Sequence, residues 1–156
     1  MSNDFVLQRS NGQSKDFAGL VRELDAYLTL VDREDHAFYD QYNQIDDIEF
    51  ALVAYLNNEP VGCGAIKPLG EDAMEVKRMF VLPEQRGKGI ASAILNGLEE
   101  WARNLGMKKC ILETGKRQKE AVAFYSRNGY IEIPNFGQYK GVENSVCFEK
   151  GLIPSS

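Results

Sequence analysis

The sequence predicts an α/β fold, a mixed α+β sheet in a single domain over residues 1–156. Segments with helical periodicity are interleaved with short apolar, strand-like runs. Residues 74–105 have the pattern of a strand, a glycine-rich turn and a helix, as in an α/β unit. At 156 residues and 44% hydrophobic content, the chain can bury one sizeable core.

The first elements are predicted from apolar spacing. Residues 5–9 alternate apolar and polar side chains, which is typical of an edge strand. Residues 15 to about 30 predict an amphipathic helix with Asp16 in its first turn. Its apolar residues recur at helical spacing: Phe17, Leu20, Val21, Leu24 and Leu28. A second short helix is predicted over residues 35–42.

A hairpin and a third strand follow. Residues 50–56 form an apolar, β-prone run, residues 57–60 a turn, and residues 61–66 the returning strand. Residues 68–70, Pro-Leu-Gly, are predicted to end that strand. Residues 74–81 predict the next strand, which Pro83 stops.

The second half of the chain alternates helices and strands. A long helix begins at Ile90, with Gly106 as its C-terminal cap. Residues 110–113 predict a strand, and residues 118–128 a helix capped by Gly129 in a left-handed conformation. Residues 130–133 and 145–150 predict the last two strands, with a loop starting at Pro134 between them.

The composition excludes several classes of partner. The net charge of −5 argues against general nucleic-acid binding, which needs a basic face. The first ten residues lack the apolar stretch of a signal peptide, and no run approaches the ~20 apolar residues of a membrane span. We therefore expect a cytoplasmic location with neither a nucleic acid nor a membrane as partner.

The three cysteines predict structural thiols. Cys63, Cys110 and Cys147 each lie in an apolar, strand-like run, and no two have the spacing of a metal-binding pair. The single histidine, His36, lies far from all three in sequence, so no metal site is expected.

A glycine-rich basic turn predicts an anion site at the start of the long helix. It comprises Arg86, Gly87, Lys88, Gly89, Ile90 and Ala91. A helix N-terminus presents unpaired N–H groups and partial positive charge to a phosphate. The dinucleotide fingerprint fails, because Ser92 takes its third glycine position, and the P-loop pattern is absent. A tight strand-to-helix turn without a ligand also favours glycine.

Two motifs together resemble the GCN5-related N-acetyltransferase (GNAT) family. Arg86, Gly89 and Ala91 match its pyrophosphate loop: Gln or Arg, Gly three residues later, then Gly or Ala two further. Its second motif, in the following helix, is matched by Ala121, Phe124, Tyr125, Gly129 and Tyr130. The flanking elements follow the family's order, so the resemblance covers about the whole chain. It implies a GNAT-like acyl-CoA N-acyltransferase fold.

The resemblance implies acetyl-CoA as the cofactor and assigns its contacts. Backbone groups of Met79, Phe80 and Val81 would pair with the pantetheine arm, and the thioester carbonyl would meet an N–H near Phe80 or Val81. The amides of residues 86–91 would hold the pyrophosphate. Further contacts fall on Gln118, Phe124 and Arg127. Gln118 replaces the family's usual asparagine, and Arg127 either reaches the adenosine phosphates or is solvated.

The resemblance also implies two catalytic residues. Tyr125 would be the general acid that protonates the CoA thiolate, the alternative being an aromatic residue of the helix's core face. Glu75 precedes Arg86 by eleven residues, as does the base of the histone-acetylating members. It is either that base or a surface carboxylate paired with Lys77 or Lys109. Strand alternation predicts Glu75, Lys77 and Met79 on one face.

The acceptor pocket is predicted at aromatic residues of the first helices and the last loop. The candidates are Tyr39, Tyr42, Phe136 and Tyr139, each of which could equally be a packing residue. The aromatic segment 133–139 is the first choice for a lid over the acceptor.

The leading hypothesis is an acetyl-CoA-dependent N-acetyltransferase acting on a primary amine of a small molecule or peptide by direct transfer in a ternary complex. The alternatives are a non-catalytic CoA-binding sensor and an enzyme for a longer acyl group. None of the cysteines has the exposed, electropositive setting of a covalent nucleophile. A homodimer through an exposed edge of the last strands is compatible with the resemblance.

Overall fold

A computed structural model describes residues 5–32 and 48–152. It contains three α-helices, α1 (Lys15–Asp32), α2 (Ile90–Asn104) and α3 (Lys119–Arg127). Its strands are β1 (Val6–Ser10), β2 (Phe50–Leu56), β3 (Glu59–Leu69), β4 (Ala73–Val81), β5 (Lys109–Gly115), β6 (Ile131–Ile133) and β7 (Ser145–Gly151). The helix predicted over residues 35–42 lies outside the described residues.

All seven strands form one mixed sheet in the order β1-β2-β3-β4-β5-β7-β6. Every neighbouring pair is antiparallel except β4 and β5, which run parallel on either side of the α2 crossover. The predicted mixed α/β single-domain fold is thereby confirmed. Within the described segments, no helix has both the length and the apolarity to cross a bilayer.

Two cores cover the two faces of the sheet. The α1-side core packs Phe17, Leu20, Val21 and Leu24 of α1 on the facing residues of β2 and β3. The α2-side core packs Ile90, Ile94, Leu95 and Leu98 of α2, together with Tyr125 of α3, on the opposite face. Burial of these amphipathic stripes is what holds the helices on the sheet.

The β2–β3 hairpin is tighter than predicted, and β3 is longer. Asn57 and Asn58 have φ angles of +53° and +67°, so they alone form the turn and β3 begins at Glu59. The predicted return strand, residues 61–66, is too short, because β3 continues to Leu69, within the Pro-Leu-Gly segment that was predicted to end it. Beyond Ile66, β3 pairs with β4 but no longer with β2, so a proline N–H is not needed there.

A β-bulge in β4 reverses its side-chain alternation. Arg78 has a φ of +59°, and the register moves from Ala65 opposite Lys77 to Cys63 opposite Phe80. Phe80 therefore packs in the α1-side core, whereas Met79 packs against the α2-side core. The expectation that Met79 shares a face with Glu75 and Lys77 is wrong for this reason.

The central strands β4 and β5 are hydrogen-bonded to each other along only the first part of their length. They pair from Ala73–Lys109 to Val76–Leu112 and no further. β4 then follows β3 up to Val81, while β5 follows β7 up to Gly115. A gap therefore opens inside the sheet, next to the turn that leads into α2.

Candidate active site

The glycine-rich turn forms a left-handed approach to α2. Gly87 and Gly89 have φ angles of +82° and +81°, and Gly89 is the N-cap of α2. A Cβ atom at either position would have nothing within 4 Å, so open space faces both glycines. Since the first N–H groups of a helix have no intrahelical acceptor, this turn fits a phosphorylated ligand such as CoA.

Arg86 and Lys88 differ in what they do for this turn. Arg86 Nε donates a hydrogen bond to the Val81 carbonyl at 3.0 Å, so the arginine anchors the turn to the end of β4. Lys88 Nζ donates to Gln85 Oε1 at 2.7 Å, and its side chain stays exposed.

The gap between β4 and β5 contains a cavity of about 120 Å³. Because the sheet itself is open here, side chains from both of its faces line one space. From the α3 side come Gln118 and Tyr125, and from the α1 side Glu75 and Tyr139. Met79 also lines the cavity, which thus brings together five residues that the sequence predicted for the site.

Tyr125 belongs to both the core and the cavity. Its ring packs against Phe124 and Tyr130, with centroids 5.2 Å and 5.8 Å away. Burial, with a smaller contribution from the Glu113 carboxylate, raises the pKa of the Tyr125 phenol above its ordinary value. The two interpretations of Tyr125, acid and core aromatic, are thus compatible in one residue.

Glu75 is buried at the wall of the cavity. Its Oε2 lies 3.7 Å from Lys77 Nζ, and both side chains are 8% exposed. The Tyr139 hydroxyl donates to the same oxygen at 3.4 Å. The surface setting considered for Glu75 is wrong, although its pairing with Lys77 is present. Lys109, the other partner considered, pairs with Glu149 instead.

The sequence did not single out three charged residues of the cavity, Lys77, Arg78 and Glu113. Arg78 forms an ion pair with Asp25 of α1 at 2.6 Å, and Glu113 Oε2 accepts a hydrogen bond from Ser145 at 2.7 Å. Burial lowers the pKa of Lys77 against the opposing effect of Glu75. The sequence signal that could have identified these three residues is the presence of charged side chains within otherwise apolar strand runs.

Of the other predicted cofactor residues, Phe124 and Arg127 do not line this cavity. Phe124 is half-buried beside Tyr125, and Arg127 is exposed on α3. Both lie on the helix that follows the gap, so a contact with the far parts of a CoA molecule stays a prediction. Beyond Val76, the side of β4 that faces the gap has no ladder with β5, which fits pairing with a pantetheine arm.

The predicted acceptor aromatics fall into two groups. Tyr39 and Tyr42 lie outside the described residues. Tyr139 is buried at the cavity, whereas Phe136 packs against it from behind, with ring centroids 5.4 Å apart. Asn135 Nδ2 donates to the carbonyls of Tyr139, Val142 and Ser145, which fixes the loop in place. A lid function for segment 133–139 stays a prediction.

The cysteines are buried, unbridged thiols, as the sequence predicted. Burial raises the pKa of Cys63 and of Cys110 to about 12, and that of Cys147 to about 11. A thiol with a raised pKa carries little thiolate at neutral pH, so it is a poor nucleophile. None of the three lines the cavity between β4 and β5.

Comparison with known proteins identifies the family that has this geometry. The model of the acetyltransferase (GNAT) family matches residues 18–130. The chain is 40% identical over 136 residues to an IAA acetyltransferase of Azospirillum brasilense, covering 85% of this chain and 88% of that protein.

Solved structures of other proteins have the same fold. A crystal structure from Klebsiella pneumoniae, described as a candidate acyl-CoA N-acyltransferase, superposes with a TM-score of 0.82 at 29% identity, over 97% of this chain and all (100%) of that one. A GNAT family acetyltransferase of Elizabethkingia anophelis with acetyl-CoA bound has the same fold, with a TM-score of 0.71 at 20% identity over 97% and 100% of the two chains.

The interrupted sheet and the glycine turn at its gap thus define an acyl-CoA N-acyltransferase fold. The chain belongs to the GNAT acetyltransferase family, and it is an N-acetyltransferase by class. The resemblance inferred from the two motifs is confirmed.

Proposed function

We propose that this chain transfers an acetyl group from acetyl-CoA directly to a primary amine of a small molecule or peptide. The observation that carries the proposal is that Glu75 and Tyr125 line one cavity, which reaches both faces of the sheet. A base for the amine and an acid for the departing thiolate are thereby available on opposite sides of one reaction space.

The cofactor contacts follow from the gap and the turn. The N–H groups at the start of α2 would hold the pyrophosphate, with Arg86 and Lys88 supplying charge. The backbone of β4 between Lys77 and Val81 would pair with the pantetheine arm. Gln118 lines the cavity, where its amide could contact that arm in place of the family's asparagine.

The chemistry removes two protons from the ammonium nitrogen and delivers one to the CoA sulfur. An alkyl ammonium has a pKa near ~10.4, so it must lose a proton before its nitrogen attacks the thioester carbonyl. Glu75 would take that proton, directly or through water. As the C–N bond forms and the C–S bond breaks, the Tyr125 hydroxyl would give its proton to the CoA sulfur, and the second proton lost by the nitrogen would restore that hydroxyl through water. No covalent acetyl–cysteine step is required.

Free thiol release from acetyl-CoA tests the proposal. The chain is incubated with a panel of amines, amino acids and peptides, and CoA is titrated with a thiol reagent. Acceptor-dependent release is expected, together with an acetylated product 42 Da heavier than the acceptor, roughly the mass of an acetyl group replacing a proton. Tight CoA binding without release on any acceptor would favour the sensor function and contradict the proposal.

Replacing Tyr125 by phenylalanine tests the acid. Tyr125→Phe keeps the ring packing but removes the proton donor, so kcat is expected to fall by about 10²- to 10⁴-fold with little change in acetyl-CoA affinity. Tyr27→Phe, on the exposed side of α1, is the matched control and should behave as wild type. Equal kcat values in the two variants would remove Tyr125 from the mechanism.

A further inference from the structure

The carboxylate of Glu75 makes both of its polar contacts through one oxygen. The Tyr139 hydroxyl donates to Oε2 at 3.4 Å, and Lys77 Nζ lies 3.7 Å from the same atom. These are the polar contacts of this carboxylate within the part of the chain that the structure describes, and neither involves Oε1. At the wall of the cavity, Oε1 is therefore the oxygen left to accept a proton.

Tyr139 is held in place independently of Glu75. It lies in the loop between β6 and β7, and its carbonyl accepts hydrogen bonds from Asn135 Nδ2 and from the Val142 N–H, both at 3.1 Å. Its ring packs edge to face against Phe136, with centroids 5.4 Å apart. Because the backbone and the ring are both fixed by the loop, the hydroxyl orients the carboxylate rather than following it.

The Tyr139 hydroxyl keeps its proton and so remains a donor. Burial, followed by the charges of Glu75 and Glu113, raises the pKa of Tyr139 above its ordinary value near 10. The phenol is therefore protonated throughout the neutral and mildly alkaline range. Its hydrogen bond of 3.4 Å is longer than the usual 2.5–3.0 Å of O–H···O bonds, and catalytic hydrogen bonds of this kind commonly shorten once a substrate is bound.

Several charged and titratable groups surround Glu75. They are Lys67 of β3, Lys77 and Arg78 of β4, Glu113 of β5, Cys147 of β7 and Tyr139 of the last loop. Arg78 is paired with Asp25 of α1, and Tyr125 enters the cavity from the α3 side. Replacing Tyr139 by phenylalanine removes a hydrogen-bond donor from this set without changing its net charge, so the effect of that donor can be measured by itself.

We propose that Tyr139 is a positioning residue for the base: its hydroxyl holds Glu75 Oε2 beside Lys77 and thereby presents Oε1 to the ammonium group of the acceptor. This deepens the proposed function and rests on it, since Glu75 is the base there. A hydrogen-bond donor also favours the charged form of a carboxylate, and only that form can take a proton. Tyr139 acts through Glu75 and not on the reacting atoms themselves.

Tyr139→Phe tests the assignment, because it keeps the ring against Phe136 and removes only the donor. The acceptor is the amine that releases most thiol from acetyl-CoA in the panel. At pH 7, kcat is expected to fall roughly 3- to 10-fold, the effect of one hydrogen bond. The rising limb of the profile of kcat against pH should move to higher pH by about half a unit to one unit, because the carboxylate then holds its proton more readily.

Two controls separate positioning from a structural role. Tyr55→Phe also removes a phenol–carboxylate hydrogen bond, to Asp16 at 2.7 Å, but Tyr55 does not line the cavity, so its profile should match that of wild type. In a Glu75→Gln background, Tyr139→Phe should cause no further loss of kcat, because the two side chains act as one unit. Thermal melts of all variants check that they are folded.

The outcomes distinguish this inference from the proposed function. An unshifted profile in Tyr139→Phe, or the same loss of kcat in the wild-type and Glu75→Gln backgrounds, would overturn the role of Tyr139 and leave acetyl transfer standing. Superimposable profiles for wild type and Glu75→Gln would overturn the base together with its positioning residue. Absence of thiol release with every acceptor would overturn the proposed function itself and this role with it.

Discussion

Arg78 determines which residues meet in the cavity. Its positive φ places an extra residue opposite Gly64, so Glu75 and Lys77 remain on the α1 side while Met79 turns to the other. A non-glycine residue in this conformation costs of order 1 kcal/mol or more. The ion pair between Arg78 and Asp25 compensates part of this cost by tying the bulge to α1. The strain thus lies at the point where β4 must leave β5.

The pH dependence of turnover is a prediction at the scale of single residues. In the proposed mechanism Tyr125 acts in its protonated form. Burial raises its pKa above the ordinary value near 10, so the phenol stays protonated throughout the range where amines become nucleophilic. We expect kcat to rise with pH and to show no descending limb below about pH 10.

Profiles of kcat against pH, measured from pH 6 to 10 for wild type and Glu75→Gln, check this prediction. The variant should have a shifted or flattened rising limb, because the amine then has no carboxylate to accept its proton. A descending limb near neutral pH that disappears in Tyr125→Phe would contradict the assigned state of the phenol. Superimposable profiles for wild type and Glu75→Gln would mean that another group or a water chain is the base.

At the scale of the element, the turn before α2 combines backbone geometry with charge. Gly87 and Gly89 are both left-handed, which lets the chain enter α2 with its first N–H groups facing open space. Arg86 holds the same turn against the end of β4. The turn and the end of β4 beside the gap are therefore fixed to each other.

Gly89→Ala tests the turn. An alanine at φ +81° costs about 1–2 kcal/mol, and its methyl group would occupy the space that faces the ligand. We expect a higher KM for acetyl-CoA and a modest loss of stability. Gly106→Ala is the matched control for Gly89→Ala. Gly106 has a φ of +82° and also faces open space, but it lies at the far end of α2.

The two variants should lose similar stability, measured by urea denaturation, but only Gly89→Ala should change the KM for acetyl-CoA. An equal effect on KM in both variants would mean that the turn acts through general destabilisation rather than by binding.

A sequence predicts a strand, turn or bulge well when the interactions that determine it are between residues close together in the chain. β2 is predicted to the residue because its apolar run is bounded by the polar residues of a tight turn. The bulge at Arg78 is not predicted, because it depends on the pairing of β4 with Gly62 and Gly64 of β3. A Cβ at Gly64 would lie 2.6 Å from Met79 Sδ, a contact that exists only in the folded sheet.

The residues of the candidate site that belong to a sequence motif could be predicted. Those that only the folded sheet brings together could not. The glycine turn follows from spacing along the chain, and Tyr125 from its match to the family's second motif. Lys77 and Glu113, in contrast, come to the cavity from two strands that are distant in sequence, and their burial follows from the sheet order. The sequence also offered no means of distinguishing an exposed Glu75 from the buried one that the structure contains.

At the scale of the whole molecule, a buried ionic network joins the parts around the gap. Glu99 of α2 is 2% exposed and accepts hydrogen bonds from Lys150 of β7 at 3.0 Å and from Tyr130 at 2.9 Å. Tyr130 directly follows α3, so helix, strand and loop meet at one carboxylate. A buried charge with two donors is tolerated only while both are present.

Lys150→Met is expected to destabilise the protein by about 3–5 kcal/mol, because it leaves the Glu99 carboxylate buried without its counter-charge. Lys109→Met is the control, because it removes a half-exposed ion pair of a kind worth about 0–1 kcal/mol. Urea denaturation measures both. Equal midpoints for the two variants would contradict this role of Lys150.

Other properties of the whole chain stay predictions. The cytoplasmic location, the homodimer and the assignment of residues 1–156 to one domain rest on the sequence alone. Val6 in β1 and Ile131 in β6 are 65% and 64% exposed, and they lie on the two perimeter strands of the sheet.

The gap between β4 and β5 gives the molecule an accessible strand edge inside its sheet. A perimeter edge of the same length would be open to any passing chain and would favour aggregation. Here the neighbouring strand, α1 and the aromatic ring of Tyr139 flank the edge, so a whole polypeptide strand would have to force β5 aside to reach it. A thin, flexible arm such as pantetheine needs no such displacement. On the proposed function, the interruption would offer strand pairing to the cofactor while withholding it from other proteins.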